Sequence, residues 1–260
     1  MELAPPADGT PPVLAVRGLV KSYAKRRAVD GLSFVAAPGE VLGLVGPNGA
    51  GKTTTLRTIA GILPVESGTV AVAGHDLVRQ PVEAKRRLAL VPDNPQLFEQ
   101  LSVWEHLDFT ARLYGVADWQ PRAARLLDEL ELGDRRDSLA DELSRGMRQK
   151  LALACALVHD PAVLLLDEPL TGLDPRGIRT LFDLVRRRAA EGAAVVLSSH
   201  LLGQIEGLCT GFAVMRQGRL LFSGTHDELR ERYAEAGGSL EEVFFHLTEG
   251  DAPRAAAVAP

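Results

Sequence analysis

A glycine-rich loop in the first quarter of the sequence combines the residue types that hold phosphate. Its eight residues are Gly46, Pro47, Asn48, Gly49, Ala50, Gly51, Lys52 and Thr53. In such a loop glycines turn backbone N–H groups toward an anion, the lysine reaches the β and γ phosphates, and the threonine hydroxyl binds Mg²⁺. Thr54 adds a donor from the following helical turn. A strand-to-helix turn without a ligand is the alternative, but the intact spacing favours a phosphate site.

Two acids follow an apolar run later in the chain. Residues 163–166 are typical of a buried strand, and Asp167 and Glu168 come directly after them. Ligands of an open α/β sheet lie beyond the carboxyl ends of its strands, so we expect Asp167 to hold Mg²⁺, directly or through water. Glu168 is placed to orient and deprotonate the water that attacks a γ phosphate. A solvated acidic pair is the alternative, and the glycine-rich loop upstream argues against it.

A capped helix start at residues 143–147, the signature segment, offers a second anion site. Ser144 is a natural N-cap, and Gly146 exposes backbone N–H groups. Alone, this pattern is more often an ordinary helix start. It acquires a functional meaning only beside the other motifs.

Composition limits the kind of protein that carries these motifs. The chain has 260 residues, of which 46% are apolar and 24% charged, a balance typical of a globular protein of one or two domains. Its 29 Lys and Arg against 34 Asp and Glu give a net charge of −5, which disfavours a general binder of nucleic acid. Cys155 and Cys209 lie too far apart for a zinc spacing. A disulfide framework is not expected either.

No apolar stretch approaches the roughly 20 residues that cross a bilayer. Residues 1–12 carry acids and prolines but no basic region followed by an apolar one, so they do not resemble a secretory signal. We therefore expect a cytoplasmic protein without a membrane span.

The elements that must position these residues follow from the hydrophobic pattern. Short β-branched or leucine-rich runs predict strands at residues 13–16, 29–35, 41–45 and 69–73. A first helix is expected to begin near Lys52. Residues 101–160 change to helical spacing without a convincing strand, which indicates a helical insertion.

Strand character returns after this insertion. Residues 162–167 and 193–198 flank a helical pattern at 176–190, which is the rhythm of parallel βαβ units. We expect the two sheet regions to share one core. A hairpin is predicted at residues 212–222, before a short helix near Thr225.

Five motifs, in this order, resemble those of ATP-binding cassette (ABC) ATPases. They are the glycine-rich loop, the signature segment, the acidic pair, Asp174 after Thr-Gly-Leu, and His200 after two serines. The resemblance covers about residues 13–248. It implies an α/β fold, a P-loop NTPase core with a parallel sheet, an antiparallel β part and a helical subdomain at about 99–160. Residues 1–12 and 249–260 are expected to be a disordered leader and tail.

The resemblance also implies ligands and roles. ATP and Mg²⁺ would bind in a head-to-tail dimer, each ATP lying between one subunit's glycine-rich loop and Ser144 and Gly146 of the other. Tyr23 would stack on adenine; a partly buried strand tyrosine is the alternative. His200 would contact the γ phosphate and hold the water, whereas a solvated histidine is the ordinary case. Asp174 would belong to the nucleotide-binding set.

Two segments depart from the family pattern, the turn at Asp93 and the signature segment. Asp93 stands where a glutamine usually touches Mg²⁺ and links the nucleotide site to the helical subdomain. Its carboxylate is a candidate metal ligand, and a turn residue before Pro95 is the alternative. In the signature segment, Arg145 stands where glycine is most usual and Met147 where glutamine is common. These departures affect coupling more than catalysis.

The function that the resemblance implies is that of the ATP-hydrolysing subunit of an ABC transporter. It would work at the inner face of the membrane with separate permease subunits and a second, identical or homologous cassette. The surroundings of Asp93 and residues 240–244 resemble ABC-2 type exporters, which favours export. A DNA-maintenance ATPase of the same superfamily is one alternative, although the long coiled coil of such proteins is missing. A nucleotide-gated scaffold with little turnover is another.

Overall fold

This computed structural model describes residues 11–24 and 26–232 of the chain. This part contains ten strands and eight α-helices. The strands are β1 (Leu14–Tyr23), β2 (Arg26–Ala36), β3 (Val41–Val45), β4 (Ser67–Val72), β5 (His75–Asp76), β6 (Leu88–Val91), β7 (Val163–Asp167), β8 (Ala194–Ser199), β9 (Gly211–Arg216) and β10 (Arg219–Thr225). The helices are α1 (Lys52–Ile59), α2 (Pro81–Arg86), α3 (Val103–Tyr114), α4 (Gln120–Glu129), α5 (Arg145–Leu157), α6 (Pro175–Ala190), α7 (Leu202–Ile205) and α8 (His226–Arg232). Residues 1–10, the expected tail and residues 240–244 lie outside the described part.

Strands β1, β2, β4 and β5 form an antiparallel sheet in the order β2-β1-β4-β5. The predicted strands at 13–16, 29–35 and 69–73 are confirmed, but β1 continues to Tyr23. An irregularity between Val16 and Leu19 interrupts its pairing with β2, and Gly18 there has a φ of +57°. This bulge shifts the alternation of buried residues. Beyond the bulge, β1 continues to Tyr23, which pairs with Arg26 of β2 at the end of the sheet.

The second sheet has six strands in the order β10-β9-β3-β8-β7-β6. All neighbours pair in parallel except β10, which forms the predicted hairpin with β9. The predicted βαβ unit is confirmed as β7, α6 and β8. Parallel strands end at the same edge of a sheet, so the segments that follow β3, β7 and β8 meet there. These segments are the glycine-rich loop, Glu168 and His200.

Both faces of the six-stranded sheet are buried, which explains the continuous apolar runs of its strands. In β3, Leu42 and Leu44 pack with Phe34 and the antiparallel sheet in one cluster, which also contains Val196 of β8. Val45, on the opposite face, belongs to a second cluster that includes buried side chains of α3 to α6. The prediction that the two sheet regions share one core is confirmed by the first cluster.

Residues 101–160 form three helices of 12, 10 and 13 residues and two short 3₁₀ turns, at Gly133–Arg135 and Ala140–Glu142. The Ser102 hydroxyl accepts the N–H of Glu105, whose carboxylate accepts the N–H of Ser102, so a capping box starts α3. The helical interpretation is confirmed. These helices are far shorter than the heptad arrays of an extended coiled coil.

No helix within residues 11–24 and 26–232 is both long and apolar enough to cross a membrane.

The two cysteines are free thiols. Cys155 lies partly buried on α5, and Cys209 is buried after α7. Burial raises the pKa of each thiol to about 12.

Candidate functional site

The glycine-rich loop connects β3 to α1 along a path that two glycines permit. A Cβ atom on Gly46 would lie 2.3 Å from the carbonyl oxygen of Met215, and one on Gly51 would lie 2.3 Å from that of Ala28. Gly51 also has a φ of +106°, which side-chain-bearing residues rarely adopt. The loop is therefore held tightly between β2 and β9, and its shape depends on glycine at these positions.

The first turn of α1 carries no side-chain cap. Its leading N–H groups lack intrahelical partners, and the helix dipole adds partial positive charge there, so an anion is favoured. Thr53 and Thr54 line the cleft beside this turn. The backbone and hydroxyl donors thus form the kind of site that the sequence predicts for phosphate.

Lys52 is buried at the base of the loop. Its Nζ donates to the carbonyl oxygen of Gly46 at 2.7 Å and lies 3.3 Å from Oε1 of Glu168. The side chain is 6% exposed. The carbonyl of Gly46 and the carboxylate of Glu168 therefore hold the Lys52 ammonium between the glycine-rich loop and the end of β7.

The Asp167 carboxylate ends β7 almost completely buried. Its Oδ1 accepts two hydroxyl hydrogen bonds, one from Thr53 at 3.0 Å and one from Ser198 of β8 at 2.8 Å. The structure thus brings together Thr53 and Asp167, two of the three residues that the sequence predicts for Mg²⁺.

Glu168 leaves the strand in a left-handed conformation, with a φ of +47°. Its N–H donates to the Ser198 hydroxyl at 2.9 Å. Its Oε2 lies 2.9 Å from Nδ1 of His200, while its other oxygen faces Lys52. The predicted catalytic pair therefore stands together, with the carboxylate between an ammonium and an imidazole.

A cleft of about 500 Å³ opens above these groups. Tyr23 stands half exposed on its wall. The side chains and backbone that line it are those of Tyr23, Arg26, Ala28, Asn48, Gly49, Ala50, Gly51, Lys52, Thr53, Thr54, Asp93 and Glu168. Gly46 and Pro47 contribute from beneath, through carbonyl oxygens that Lys52 contacts.

The donor set of this cleft fits Mg²⁺. Hydroxyl and carboxylate oxygens, supplied here by Thr53 and Asp167, are the ligands that Mg²⁺ takes from proteins, with substrate phosphates and water completing its shell. The described residues contain no cluster of three or more His, Cys, Asp or Glu that would hold a metal alone. A metal in this cleft would therefore depend on phosphate ligands as well.

The signature segment lies apart from the cleft. Ser144 caps α5 by accepting the N–H of Met147 at 3.3 Å, and a Cβ on Gly146 would lie 3.0 Å from the carbonyl oxygen of Gly172. Asp174 caps α6. Among the described residues, the cleft lining includes neither Ser144, Gly146 nor Asp174. One chain therefore presents two separate sets of predicted nucleotide-binding residues.

Asp93 stands on the cleft wall, after β6. Its Oδ1 is buried, accepts no hydrogen bond and lies 3.6 Å from Nη2 of Arg145. Asp93 and Arg145, one residue from each departing segment, thus form an ion pair that joins the cleft to the signature segment. Both side chains are substantially exposed, and such pairs contribute about 0–1 kcal/mol. The ion pair therefore contributes little to the stability of the fold, and its main effect is to position the Asp93 carboxylate.

Comparison with known proteins identifies the architecture. The model of the ABC transporter family matches residues 29–171, more than half of the chain. The chain belongs to the ABC transporter family. The match contains the glycine-rich loop, Asp93, the signature segment and the acidic pair.

Several relatives of this ABC transporter chain align over most of its length. The ABC-type transporter ATP-binding protein EcsA of Bacillus subtilis (strain 168) is 33% identical, covering 92% of this chain and 98% of the relative. The Nod factor export ATP-binding protein I of Paraburkholderia xenovorans (strain LB400) is 40% identical, covering 86% and 74%. The daunorubicin/doxorubicin resistance ATP-binding protein DrrA of Streptomyces peucetius is 41% identical, covering 85% and 68%.

A solved structure of the ATP-binding subunit of an ABC transporter superposes on the chain with a TM-score of 0.86 and 34% identity. It covers 90% of this chain and 99% of that one. The predicted α/β cassette fold is confirmed. As an ABC transporter cassette, the chain binds ATP, uses Mg²⁺ and is an ATPase.

Two polar side chains at the site, those of Arg26 and Ser198, were not found by the sequence analysis. Arg26 lines the cleft because it pairs with Tyr23 across the β1–β2 hairpin. Ser198 contacts both acids because β8 places it opposite Asp167. The sequence signal that could have pointed to Ser198 is the pair of serines directly before His200.

Proposed function

We propose that this ABC transporter chain hydrolyses ATP to drive export through a separate membrane subunit. The observation that carries hydrolysis is the position of the Glu168 carboxylate, which lies beside the cleft between Lys52 and His200. Export is supported by the names of two relatives, one a Nod factor export protein and the other a daunorubicin/doxorubicin resistance protein. In this proposal, residues 13–248 form one cassette with a helical subdomain at about 99–160.

In the proposed mechanism, the phosphates of ATP lie on the glycine-rich loop and the first turn of α1. Lys52 neutralises charge on the β and γ phosphates, and Glu168 accepts the proton of the attacking water. His200 contacts the γ phosphate and orients that water. Thr53 and Asp167 would hold Mg²⁺, which supplies further neutralisation of the phosphate oxygens. Tyr23 stacks on the adenine ring.

The separation of the two nucleotide-binding sets supports a head-to-tail dimer. Ser144, Gly146 and Asp174 do not line the cleft of their own chain, yet Ser144 and Gly146 stand at the N-terminal end of a 13-residue helix, where phosphate is favoured. A second cassette, identical or homologous, would bring its signature segment over this chain's glycine-rich loop.

Replacing Asp93 by Gln is expected to weaken the Mg²⁺ dependence of ATP affinity. The Asp93 carboxylate repels ATP when the metal is absent and attracts the metal, directly or through water, when it is present. The difference should amount to roughly fivefold, because unit charges about 4 Å apart in water interact by about 1 kcal/mol. Nucleotide titrations with and without Mg²⁺ on both proteins measure it.

Asp183→Asn is the matched control for this change, because it removes an exposed carboxylate on α6 that lies outside the cleft. If Asp93→Gln leaves the Mg²⁺ dependence as in the parent and in this control, Asp93 is a turn residue. It would then be struck from the proposed metal site.

An uncharged groove beside the Asp93 turn supports docking of the membrane subunit. Its volume is about 260 Å³, and Pro92, Pro95, Phe98, Phe109 and Tyr114 are among the residues that line it. Phe98 and Phe109 are about half exposed. Apolar surface of this kind beside a nucleotide cleft is suited to a partner whose binding must respond to ATP.

The two histidines of this groove are neutral at physiological pH. Burial lowers the pKa of His159 to about 4 and also lowers the pKa of His106. No Asp, Glu, Lys or Arg of the described chain lines the groove. Its proposed occupant is therefore the apolar face of a short helix from the permease, which would keep this chain at the inner face of the membrane.

Phe109→Ser is expected to lower recovery of the permease subunit, co-expressed and co-purified with this chain, by at least about tenfold. Truncation of an aromatic residue that acts as a hot spot at an interface costs about 2 kcal/mol or more. The ATPase rate of the isolated chain should stay unchanged, because this side chain faces solvent. Val82→Ser, at a similarly exposed apolar position on α2, is the control. Equal recovery with both variants would exclude this groove as the docking site.

A further inference from the structure

We infer that Ser198 is a positioning residue for ATP hydrolysis, one that holds both acids of the site through a single hydroxyl. Its Oγ donates to Oδ1 of Asp167 at 2.8 Å and accepts the N–H of Glu168 at 2.9 Å. The residue is fully buried on β8. The inference rests on the roles proposed for Asp167 and Glu168.

The direction of these hydrogen bonds is fixed by chemistry. The backbone N–H of Glu168 can only donate, so the hydroxyl oxygen of Ser198 must accept there. The single hydroxyl hydrogen is therefore free for the Asp167 carboxylate. Pairing of β7 with β8 sets Ser198 opposite Asp167, so both partners lie within reach of the same oxygen. One side chain thus joins a metal-holding carboxylate to the backbone of the next residue.

The backbone of Glu168 needs such support. Its φ of +47° is uncommon for a residue with a side chain, and surrounding contacts must maintain it. The Ser198 hydroxyl binds the N–H of that same residue. Without this bond the backbone of Glu168 can leave the left-handed conformation. The Glu168 carboxylate would then move away from Nζ of Lys52 and Nδ1 of His200, from which its oxygens lie 3.3 and 2.9 Å in the structure.

The contacts of Ser198 also predict which kinetic constant it controls. Ser198 does not line the cleft, and its hydroxyl bonds directly neither to the glycine-rich loop nor to Tyr23. Loss of the hydroxyl should therefore leave ATP binding in place and slow the chemical step. Residues that orient ligating or catalytic groups typically contribute 10- to 100-fold to activity, so we expect about that effect.

The experiment compares Ser198→Ala with Ser199→Ala in the full chain. Ser199 is the next residue of β8 and is also buried, but within the described part of the chain its hydroxyl bonds only to the backbone of Leu201. Ser198→Ala is expected to lower kcat by about 10- to 100-fold with KM within about twofold of the parent. Ser199→Ala should lower kcat far less. Thermal melts of both variants test whether the folds are equally stable.

Ser198→Thr adds a second readout, because it keeps the hydroxyl and should recover much of the lost kcat. The inference is overturned if Ser198→Ala keeps its kcat, if KM rises in place of a fall in kcat, or if Thr restores nothing. These outcomes are separable from failure of the proposed function, since a Glu168→Gln variant with normal turnover would contradict the role of Glu168 itself.

Discussion

Lys52→Ala is expected to abolish ATP hydrolysis, with a fall in rate of at least about 10²-fold. The ammonium is the charge that the loop places nearest the predicted phosphate position, held by the carbonyl of Gly46 and the carboxylate of Glu168. Alanine removes phosphate neutralisation and also leaves Glu168 without its cation. Steady-state release of inorganic phosphate at saturating ATP and Mg²⁺ measures the effect.

Lys85→Ala is the control for this variant. Lys85 also donates to a backbone carbonyl, that of Gly61 at 3.0 Å, but it is exposed and outside the cleft. Its removal should leave the rate unchanged. A Lys52→Ala protein with turnover within about twofold of the parent would show that this lysine does not serve the phosphates.

Glu168→Gln is expected to keep ATP affinity while hydrolysis falls by roughly 10² or more. Glutamine retains an oxygen to face Lys52 and nearly the same shape, but it cannot accept a proton from water. Nucleotide titration and single-turnover hydrolysis separate the two effects. Glu129→Gln, which alters an ion pair with Arg187 outside the cleft, is the control. Equal losses of binding and turnover would make Glu168 a structural or metal-holding residue.

The same variant should report on the composite site. Because ATP persists in it, Glu168→Gln is expected to be mostly monomeric without nucleotide and dimeric with ATP and Mg²⁺ when examined by light scattering. Adding Lys52→Ala should return it to the monomer, since the nucleotide is then no longer held. If saturating ATP does not change the measured mass, Ser144 and Gly146 do not bind the ATP of a second chain, and the proposed head-to-tail dimer is wrong.

The parts of this site that are contiguous in sequence could be predicted, because their chemistry is local. The glycine-rich loop needs only a strand, a helix start and a lysine, and β3 has the predicted bounds. The full length of β1 was missed, since the bulge at Gly18 breaks the period of two on which strand prediction depends.

Contacts between distant segments could not be predicted in this way. Whether Arg145 approaches Asp93 depends on how α5 packs against β6. The sequence shows only that each residue departs from the family pattern, and it does not show that the two form an ion pair. Ser198 was visible beside His200, but its partners follow from the pairing of β7 with β8. Every residue of β7 and β8 is buried, so neither strand has the alternating pattern that would specify the register between them.

The raised pKa values of both cysteines, one partly buried and one buried, make the chain a convenient substrate for site-specific labelling. Thiolates are the species that react with maleimides and disulfides, and a thiol with a pKa of about 12 is ionised in only about one molecule in ten thousand at pH 8. Cys155 and Cys209 are the only cysteines in the sequence. A thiol introduced on the surface of the signature segment would therefore be the one reactive handle. Cross-linking between copies can then measure their arrangement without first removing the native thiols.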